Sequence, residues 1–387
     1  MISSEARDLF PLKEGAVYLN HGGFGVTPCE VMAARAAILR EIEEAPSPFF
    51  SHDYRGKWKA TAAYLAARLG VAADSLALVD NVTDGINAVL RAFAFKPGDE
   101  ILATSMTYGA IDLAADHIAR QSGASVVRMP IPFPNPSPER CLEALHAALT
   151  PRIRLAILDH VTSSTALVLP IAEMVRVCRE RDVAVLVDGA HVPGNIALNI
   201  SSIGADWYVA NLHKWYFVPR GCGFLWAAPD RRDGLVPNVL SWEIKRRFPH
   251  SFEWTGTRDP SVCLSIPAAF GFMDRFGEEK VRAHNHALAR DGMALLAEAW
   301  KMRTYTPDSM IGSMALVPLP DDLPYASDEA SRIRLQKRLW DGFRIEANPS
   351  FSHNGTIWMR FSAQIYNSLA DYEKLARTIL NLRSDYA

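Results

Sequence analysis

Apolar and polar positions along the chain follow two different rhythms. Short apolar runs that close on polar or glycine-bearing turns predict strands at Leu76 to Val79, Glu100 to Thr104, Ala124 to Met129, Arg154 to Asp159, Val183 to Val187, Trp207 to Ala210 and Gly223 to Trp226. The first of them shows the pattern in full. After Leu76-Ala77-Leu78-Val79 comes the polar stretch Asp80-Asn81-Val82-Thr83-Asp84, and then Ile86, Val89, Leu90 and Phe93 at helical spacing, which makes strand, loop, helix. Strands that alternate with helices predict an α/β fold, built on a large, mainly parallel, seven-stranded-type sheet covered by helices on both faces.

The texture changes near Pro267. Longer helical stretches, Val281 to Trp300, Glu329 to Trp340 and Tyr372 to Leu382, flank strand candidates at Ser313 to Val317 and Thr356 to Phe361. The expected organisation is a large domain over residues 20–266 and a smaller α+β domain over residues 267–387, with residues 1–19 packing against the latter. The five prolines from Pro130 to Pro138 exclude regular structure there and predict a surface connection.

Composition narrows the functions open to such a chain. With 387 residues, 41 Lys and Arg against 43 Asp and Glu, and a formal charge of -2, it is not built to meet nucleic acid electrostatically, and a small-molecule substrate is expected. No apolar run reaches the length of a membrane span, and Met1 to Leu12 lacks the basic start and apolar centre of a signal peptide. The expected location is therefore the cytoplasm. The five cysteines (Cys29, Cys141, Cys178, Cys222, Cys263) form no CxxC pair, which predicts free thiols in the core and no metal site.

Ligands of open α/β sheets sit beyond the carboxyl ends of the strands, so polar residues that directly follow apolar runs are the first candidates for chemistry. Four places qualify: Asn81-Val82-Thr83-Asp84, Thr107-Tyr108-Gly109, Asp188-Gly189-Ala190-His191 and Asn211-Leu212-His213-Lys214-Trp215. Asp188 ends the apolar run Val183 to Val187, so its carboxylate needs a partner or serves to cap the turn that follows. The pyridinium nitrogen of pyridoxal 5'-phosphate (PLP) would be such a partner, since an adjacent Asp keeps that ring able to accept electrons from a substrate's Cα. Lys214, wedged among aromatics, is either a desolvated amine able to condense with an aldehyde or a surface lysine whose stem covers apolar neighbours.

The motifs that surround these residues carry a resemblance. Val187-Asp188-Gly189-Ala190-His191-Val192-Pro193-Gly194, Gly204-Ala205-Asp206-Trp207-Tyr208, the Lys214 segment and Gly221-Cys222-Gly223-Phe224-Leu225 together resemble class V aminotransferases of PLP fold type I. Within that family, Tyr18-Leu19-Asn20-His21-Gly22-Gly23-Phe24-Gly25, Phe252 to Asp259 and Arg360 to Asn367 are similar to the isopenicillin N epimerase branch. The resemblance implies Lys214 as the lysine that binds PLP as a Schiff base, Asp188 as the pyridinium partner and His191 as a contact near the phenolic oxygen. It implies Thr83, with the Val82 and Asp84 amides at a helix N-terminus, as the phosphate cradle, completed by Asn211 and His213. Tyr108 falls where the family stacks a ring on the cofactor and also counts as a candidate catalytic group, and Ser163 falls where relatives often carry Asn. Arg360, in the apolar setting Ile357 to Phe361, resembles the arginine that grips the substrate α-carboxylate, and Asn20 is implied as a second substrate-binding residue. Thr257 resembles a residue that reaches the phosphate of the neighbouring site, which implies a homodimer.

The same resemblance leaves the reaction open. An α-amino acid substrate, activated at Cα and Cβ, can be epimerised, can lose a β-substituent as in a carbon–sulfur lyase, or can transaminate. Cysteine desulfurases carry a nucleophilic cysteine shortly before the carboxylate-binding arginine; Glu346 to Asn354 holds none, which disfavours that chemistry. Epimerisation needs an acid opposite Lys214, for which Tyr108, His52 and His353 are candidates. The pocket wall is expected from the loops Pro46 to Tyr54 and Leu240 to Phe252, where Arg246 and Arg247 offer either a second carboxylate site or a solvated charge run.

Overall fold

The structure, a computed structural model, describes residues 6–384. The expectation for residues 1–19 thus falls partly outside the described residues. After a two-residue strand β1 (Val17–Tyr18), seven strands build the central sheet: β2 (Leu76–Val79), β3 (Glu100–Thr104), β4 (Ser125–Met129), β5 (Ile153–Asp159), β6 (Ala184–Asp188), β7 (Trp207–Asn211) and β8 (Gly223–Ala227). Their order is β2-β8-β7-β6-β5-β3-β4, with β8 antiparallel to both of its neighbours and every other pairing parallel.

Strand period explains how this sheet is held. Ala156, Leu158, Val185 and Val187 enter the core on one face, while Leu155, Ile157, Ala184 and Leu186 enter the core on the other. Strands covered on both sides must be apolar there, which is why Leu155 to Leu158, Ala184 to Val187 and Phe224 to Ala227 read as continuous apolar runs. The edge strand β4 behaves differently: Ser125 and Arg128 are exposed, and Arg128 pairs with Asp112 and Asp116, so the open edge carries charge.

A second core lies beneath an antiparallel sheet. The strands β9 (Met314–Pro318), β10 (Ile345–Glu346), β11 (Asn348–His353) and β12 (Thr356–Ser362) follow in the chain; β11, β12 and β9 pair in that order, and β10 pairs with β1. Helices Glu278–Trp300, Glu329–Phe343 and Leu369–Ser384 cover this sheet, and their Leu296, Leu339 and Leu375 meet Val317, Met359 and Phe361. Val17 and Leu19 enter the same core, whereas the helix Ile266–Phe276 sends Phe270, Phe272 and Met273 into the core of the large sheet.

Two loop expectations need correction. Pro46 to Tyr54 is helical rather than a pocket loop: Pro46–Pro48 forms a helical turn, Phe49–Asp53 a π-turn, and the helix Tyr54–Arg68 continues it. Proline is accepted in a first helical turn, where its missing N–H has no partner to lose. Tyr54 is buried, with its hydroxyl donating to the Glu253 carbonyl at 2.6 Å, and Arg55 pairs with Glu243. Leu240 to Phe252 forms two 3-10 turns in which Arg246 pairs with Glu243 and Glu253, so neither segment lines the main cavity. Among the cysteines, Cys29 is exposed while the other four are buried as expected.

Candidate active site

The parallel strands bring their carboxyl ends to one edge, so that Thr104, Asp159, Asp188 and Asn211 end β3, β5, β6 and β7 side by side. Above them opens a cavity of about 1060 Å³, closed from the other side by β11, β12 and the helix Glu329–Phe343. Asn20, Val82, Thr83, Asp84, Tyr108, Ser163, Asp188, His191, Asn211, His213, Lys214 and Arg360 all line it. Thr257 does not; it is exposed, on a loop that Arg258 ties to Asp80 at 2.6 Å. His52 and His353 also stand outside the cavity, His52 on the π-turn and His353 against Phe133 and Phe351.

One end of the cavity is made for an anion. The helix Val82–Ala92 points its N-terminus into it, and an N-terminus carries exposed N–H groups and partial positive charge. The cap is Asn81, whose side-chain oxygen accepts from the Asp84 amide at 3.0 Å. Asn211 Oδ1 accepts from the Val82 amide at 3.0 Å, which makes Asn211 an anchor of the helix end. Asn238 Nδ2 donates to both the carbonyl and a carboxylate oxygen of Asp84, at 2.7 Å each, and so fixes that side chain. His213 Nδ1 donates to the Cys222 carbonyl at 3.1 Å, because a carbonyl can only accept. Burial, and then the neighbouring Lys214, hold its pKa down at about 4, so the ring is neutral with Nε2 as its remaining nitrogen.

Lys214 stands at the centre. Its turn between β7 and β8 is backed by glycine: at Gly25 (φ +70°) a Cβ would fall 2.0 Å from the His213 carbonyl oxygen, so the Tyr18 to Gly25 segment can pack there only without a side chain. Burial, and then the Arg360 charge, lower the Lys214 pKa from 10.5 to about 7, which leaves a large share of free amine at neutral pH. Lys214 Nζ lies 2.9 Å from His191 Nε2, and burial followed by that amine pushes His191 well below the ordinary histidine range. The other ring nitrogen, His191 Nδ1, is buried with no hydrogen-bond partner among the described residues.

Arg360, on β12, is only 4 % exposed. Its Nη1 donates to the Ser163 carbonyl at 2.6 Å and its Nη2 to Asn20 Oδ1 at 3.0 Å, while Nε has no partner. Neither contact is an acid, and no carboxylate among the described residues forms an ion pair with it. Burial lowers its pKa to about 10, still high enough to keep it charged. A buried guanidinium so held is a receptor for a planar anion. Tyr108, the residue before the helix Gly109–Ser122, is 51 % exposed on the cavity wall.

Sequence reasoning missed several lining groups. Asp159 ends β5 as Asp188 ends β6, and the strand-end rule that found the second applies equally to the first. Asn348 and Ser350 reach the cavity from a bulged part of β11, and Arg332 and Gln336 from the helix above; no local pattern marks any of these. Arg220, after Lys214, donates to the Gly25 carbonyl at 3.2 Å.

The donor set fits PLP on the structure's own terms. A helix N-terminus suits a phosphate, a buried carboxylate suits a ring nitrogen, a neutral amine suits an aldehyde, and the unpartnered His191 Nδ1 and Arg360 Nε are polar atoms that burial penalises until something meets them. Comparison with known proteins agrees. The family model of aminotransferase class-V matches residues 17–320. A putative L-cysteine desulfhydrase 2 of Oryza sativa subsp. japonica is 33% identical over 424 residues, covering 99% of this chain and 88% of its own. The isopenicillin N epimerase of Streptomyces clavuligerus is 31% identical over 391 residues, covering 96% of each. In fold, the chain is similar to the cystine C–S lyase C-DES in complex with cysteine persulfide (TM-score 0.83, 23% identity, 96% of this chain and 98% of that one). It is also similar to a variant of C-DES with glycine covalently linked to its PLP cofactor (TM-score 0.81, 24% identity, 97% and 98%). The chain belongs to the class V aminotransferase family, and with it to the PLP-dependent enzymes of fold type I.

Proposed function

We propose that the protein is a carbon–sulfur β-lyase acting on cysteine or an S-substituted cysteine. The observation that carries the reading is one cavity holding a readily deprotonated amine, Lys214, and an unneutralised guanidinium, Arg360, which together receive an α-amino acid. Arg360 would take the α-carboxylate in two parallel hydrogen bonds, and Lys214 would bond to PLP and then serve as the base at Cα. His191 would hold the Lys214 amine, Asp188 the ring nitrogen, the Thr83 turn the phosphate, and Tyr108 the ring face. When bound, PLP supplies an electron sink at Cα. Elimination needs only one base on one face: Lys214 takes the Cα proton, the Cβ–S bond breaks, and the sulfur leaves with its electron pair and takes up a proton. Net, an S-substituted cysteine and water give pyruvate, ammonia and a thiol.

A second reading is epimerisation, which the likeness to isopenicillin N epimerase favours. It would need an acid opposite Lys214, and of the three residues first considered for that role only Tyr108 lines the cavity. Incubation with S-substituted cysteines in deuterated water, following pyruvate and Cα deuterium together, separates the two. Pyruvate release is the expected result; racemisation with deuterium uptake and no pyruvate would overturn it.

The same proposal includes a homodimer, a cytoplasmic location, and a division into a large domain, residues 20–266, and a small one, residues 267–387. Two cores support the division, with the helix Ile266–Phe276 packing on the core of the large sheet. Among the described residues no helix is long and apolar enough to cross a membrane. Support for the dimer is the exposed Thr257 loop, which Arg258 holds beside Asp80 near the phosphate end. Thr257→Ala should release PLP more readily, and unchanged retention in a protein shown to be dimeric by sedimentation would remove Thr257 from that role.

A further inference from the structure

A second carboxyl group stands beside Asp188, and nothing in the reaction above uses it. Asp159 and Asp188 end adjacent parallel strands in direct register, are 3 % and 4 % exposed, and both line the cavity. No arginine or lysine among the described residues forms an ion pair with either. Two carboxylates this close in a buried site do not both ionise unless cations pay for it, and the nearest amine, Lys214, is the one the cofactor would consume.

The hydrogen bonds around Asp159 are directional. Thr104 Oγ1 accepts from the Met106 amide at 3.2 Å, and Thr107 Oγ1 accepts from the Thr104 amide at 3.0 Å, so each hydroxyl keeps a proton to give, either to Asp159 or, across 3.1 Å, to the other hydroxyl. Both lie within reach of Asp159 Oδ2, at 2.7 Å from Thr104 and 3.2 Å from Thr107. The two threonines belong to the turn that delivers Tyr108 to the cavity wall. Both contacts fall on Oδ2, which leaves Oδ1 free to carry the proton of a neutral carboxyl group while Oδ2 accepts both hydroxyls.

We propose that Asp159 is a positioning residue that keeps its proton, so that it clamps the Tyr108 turn while holding the Asp159 and Asp188 pair at a single negative charge. This rests on the reading of Asp188 as the partner of the PLP ring nitrogen. With one negative charge in the pair, that charge is available to the ring; with two, the excess would favour protons throughout the site. Burial first, and then the Asp188 charge, raise the affinity of Asp159 for a proton, and they outweigh the Thr104 and Thr107 hydroxyls and a backbone contact, which act the other way. The other titratable and charged groups that face the pair are Lys214 on the cavity side, and His160 and Tyr208 behind Asp188, joined to each other at 3.0 Å. Both His160 and Tyr208 are held neutral by burial, so neither supplies a counter-charge.

The test uses PLP-loaded Asp159→Asn, Asp159→Ala and Asp188→Asn, with two readouts: PLP retention on dilution, and the pH midpoint of the absorbance of bound PLP. Asn keeps the shape and the neutral charge, so its midpoint should stay within about 0.3 of the native one and its retention within about threefold. Ala removes the clamp, and retention should fall by about tenfold, the cost of roughly one hydrogen bond between neutral groups. If Asp159 is ionised in the native protein, removing its charge with Asn lowers the midpoint by about one pH unit or more, and the proposal fails. Retention in Asp159→Ala equal to the native value defeats the clamp as well. Should Asp159→Ala not fold, Thr104→Val, which removes one of the two clamping hydroxyls, replaces it with the same expected direction. Asp188→Asn tests the underlying reading separately: no change in absorbance or retention there would remove Asp188 from the ring, whatever Asp159 does.

Discussion

Two buried cations face the same cavity, and burial treats them differently. Lys214 and Arg360 are both removed from water, and both lose affinity for a proton as a result, yet the lysine falls to about 7 and the arginine only to about 10. The distinction comes from where each begins. An amine that starts at 10.5 is carried into the range where a large share of it is free at neutral pH, while a guanidinium starts so high that no ordinary burial discharges it. Their surroundings match the outcome: Lys214 is in contact with a neutral imidazole, and Arg360 with a carbonyl and an amide oxygen that steady a charge without cancelling it. One site thus holds a nucleophile and an anion receptor made by the same desolvation.

The contrast breaks most completely at Lys214. Lys214→Ala should reduce turnover by at least about 10⁴-fold, because the group that bonds to PLP and the base at Cα are lost together and non-additively. Steady-state pyruvate release with the PLP-loaded variant measures this, and a loss under about tenfold would show that another group moves the Cα proton. Arg360→Ala is expected to act on binding instead. It removes two hydrogen bonds to a carboxylate, each about 1.5–3 kcal/mol, so kcat/KM should fall by about 10²- to 10⁴-fold, chiefly through KM. A compensating test is the substrate itself: an amine that lacks the α-carboxylate should lose most of its disadvantage in Arg360→Ala. If the native protein and the variant discriminate against that amine equally, Arg360 does not read the carboxylate.

How far these residues could be read from sequence depended on whether their constraint was local. Asp188 was visible because an apolar strand must precede it, and Arg360 because a charge inside Ile357 to Phe361 has no cheap alternative to a partner. The large sheet was legible for the same reason, since strands buried on both faces leave unbroken apolar runs. Asp159 was within reach of the same rule but reads as the last residue of a strand. Asn348 and Ser350 were not legible at all, because what turns them to the cavity is a register shift between Pro349 and Phe351, set by pairing with a strand and not by neighbours in sequence. The pocket wall was sought in Pro46 to Tyr54 because proline and polar residues suggest a loop; tertiary packing of Phe49, Tyr54 and Trp58 made it helix instead.

The smallest effect sharpens the comparison without touching turnover. In the protein freed of PLP, the folded Lys214 amine gives up its proton near pH 7, whereas in the unfolded chain it does so near its ordinary value of 10.5. Between these limits the unfolded chain binds a proton that the folded one does not, so the contribution of Lys214 to stability is present above about pH 10.5 and is lost as pH falls toward 7. Arg360 has the same sign, but its window begins near 10 and lies above the range in which such a protein is studied. The native apoprotein should therefore lose thermal stability relative to Lys214→Met as pH falls from 10 to 7, by about 2 °C or more, while the difference from Arg360→Met changes less over the same interval, through only the part of the Lys214 shift that the Arg360 charge supplies. A flat difference for Lys214→Met would mean that the amine stays charged in its buried turn. In that case the nucleophile would have to be made by substrate or cofactor binding, and the contrast between the two cations would vanish.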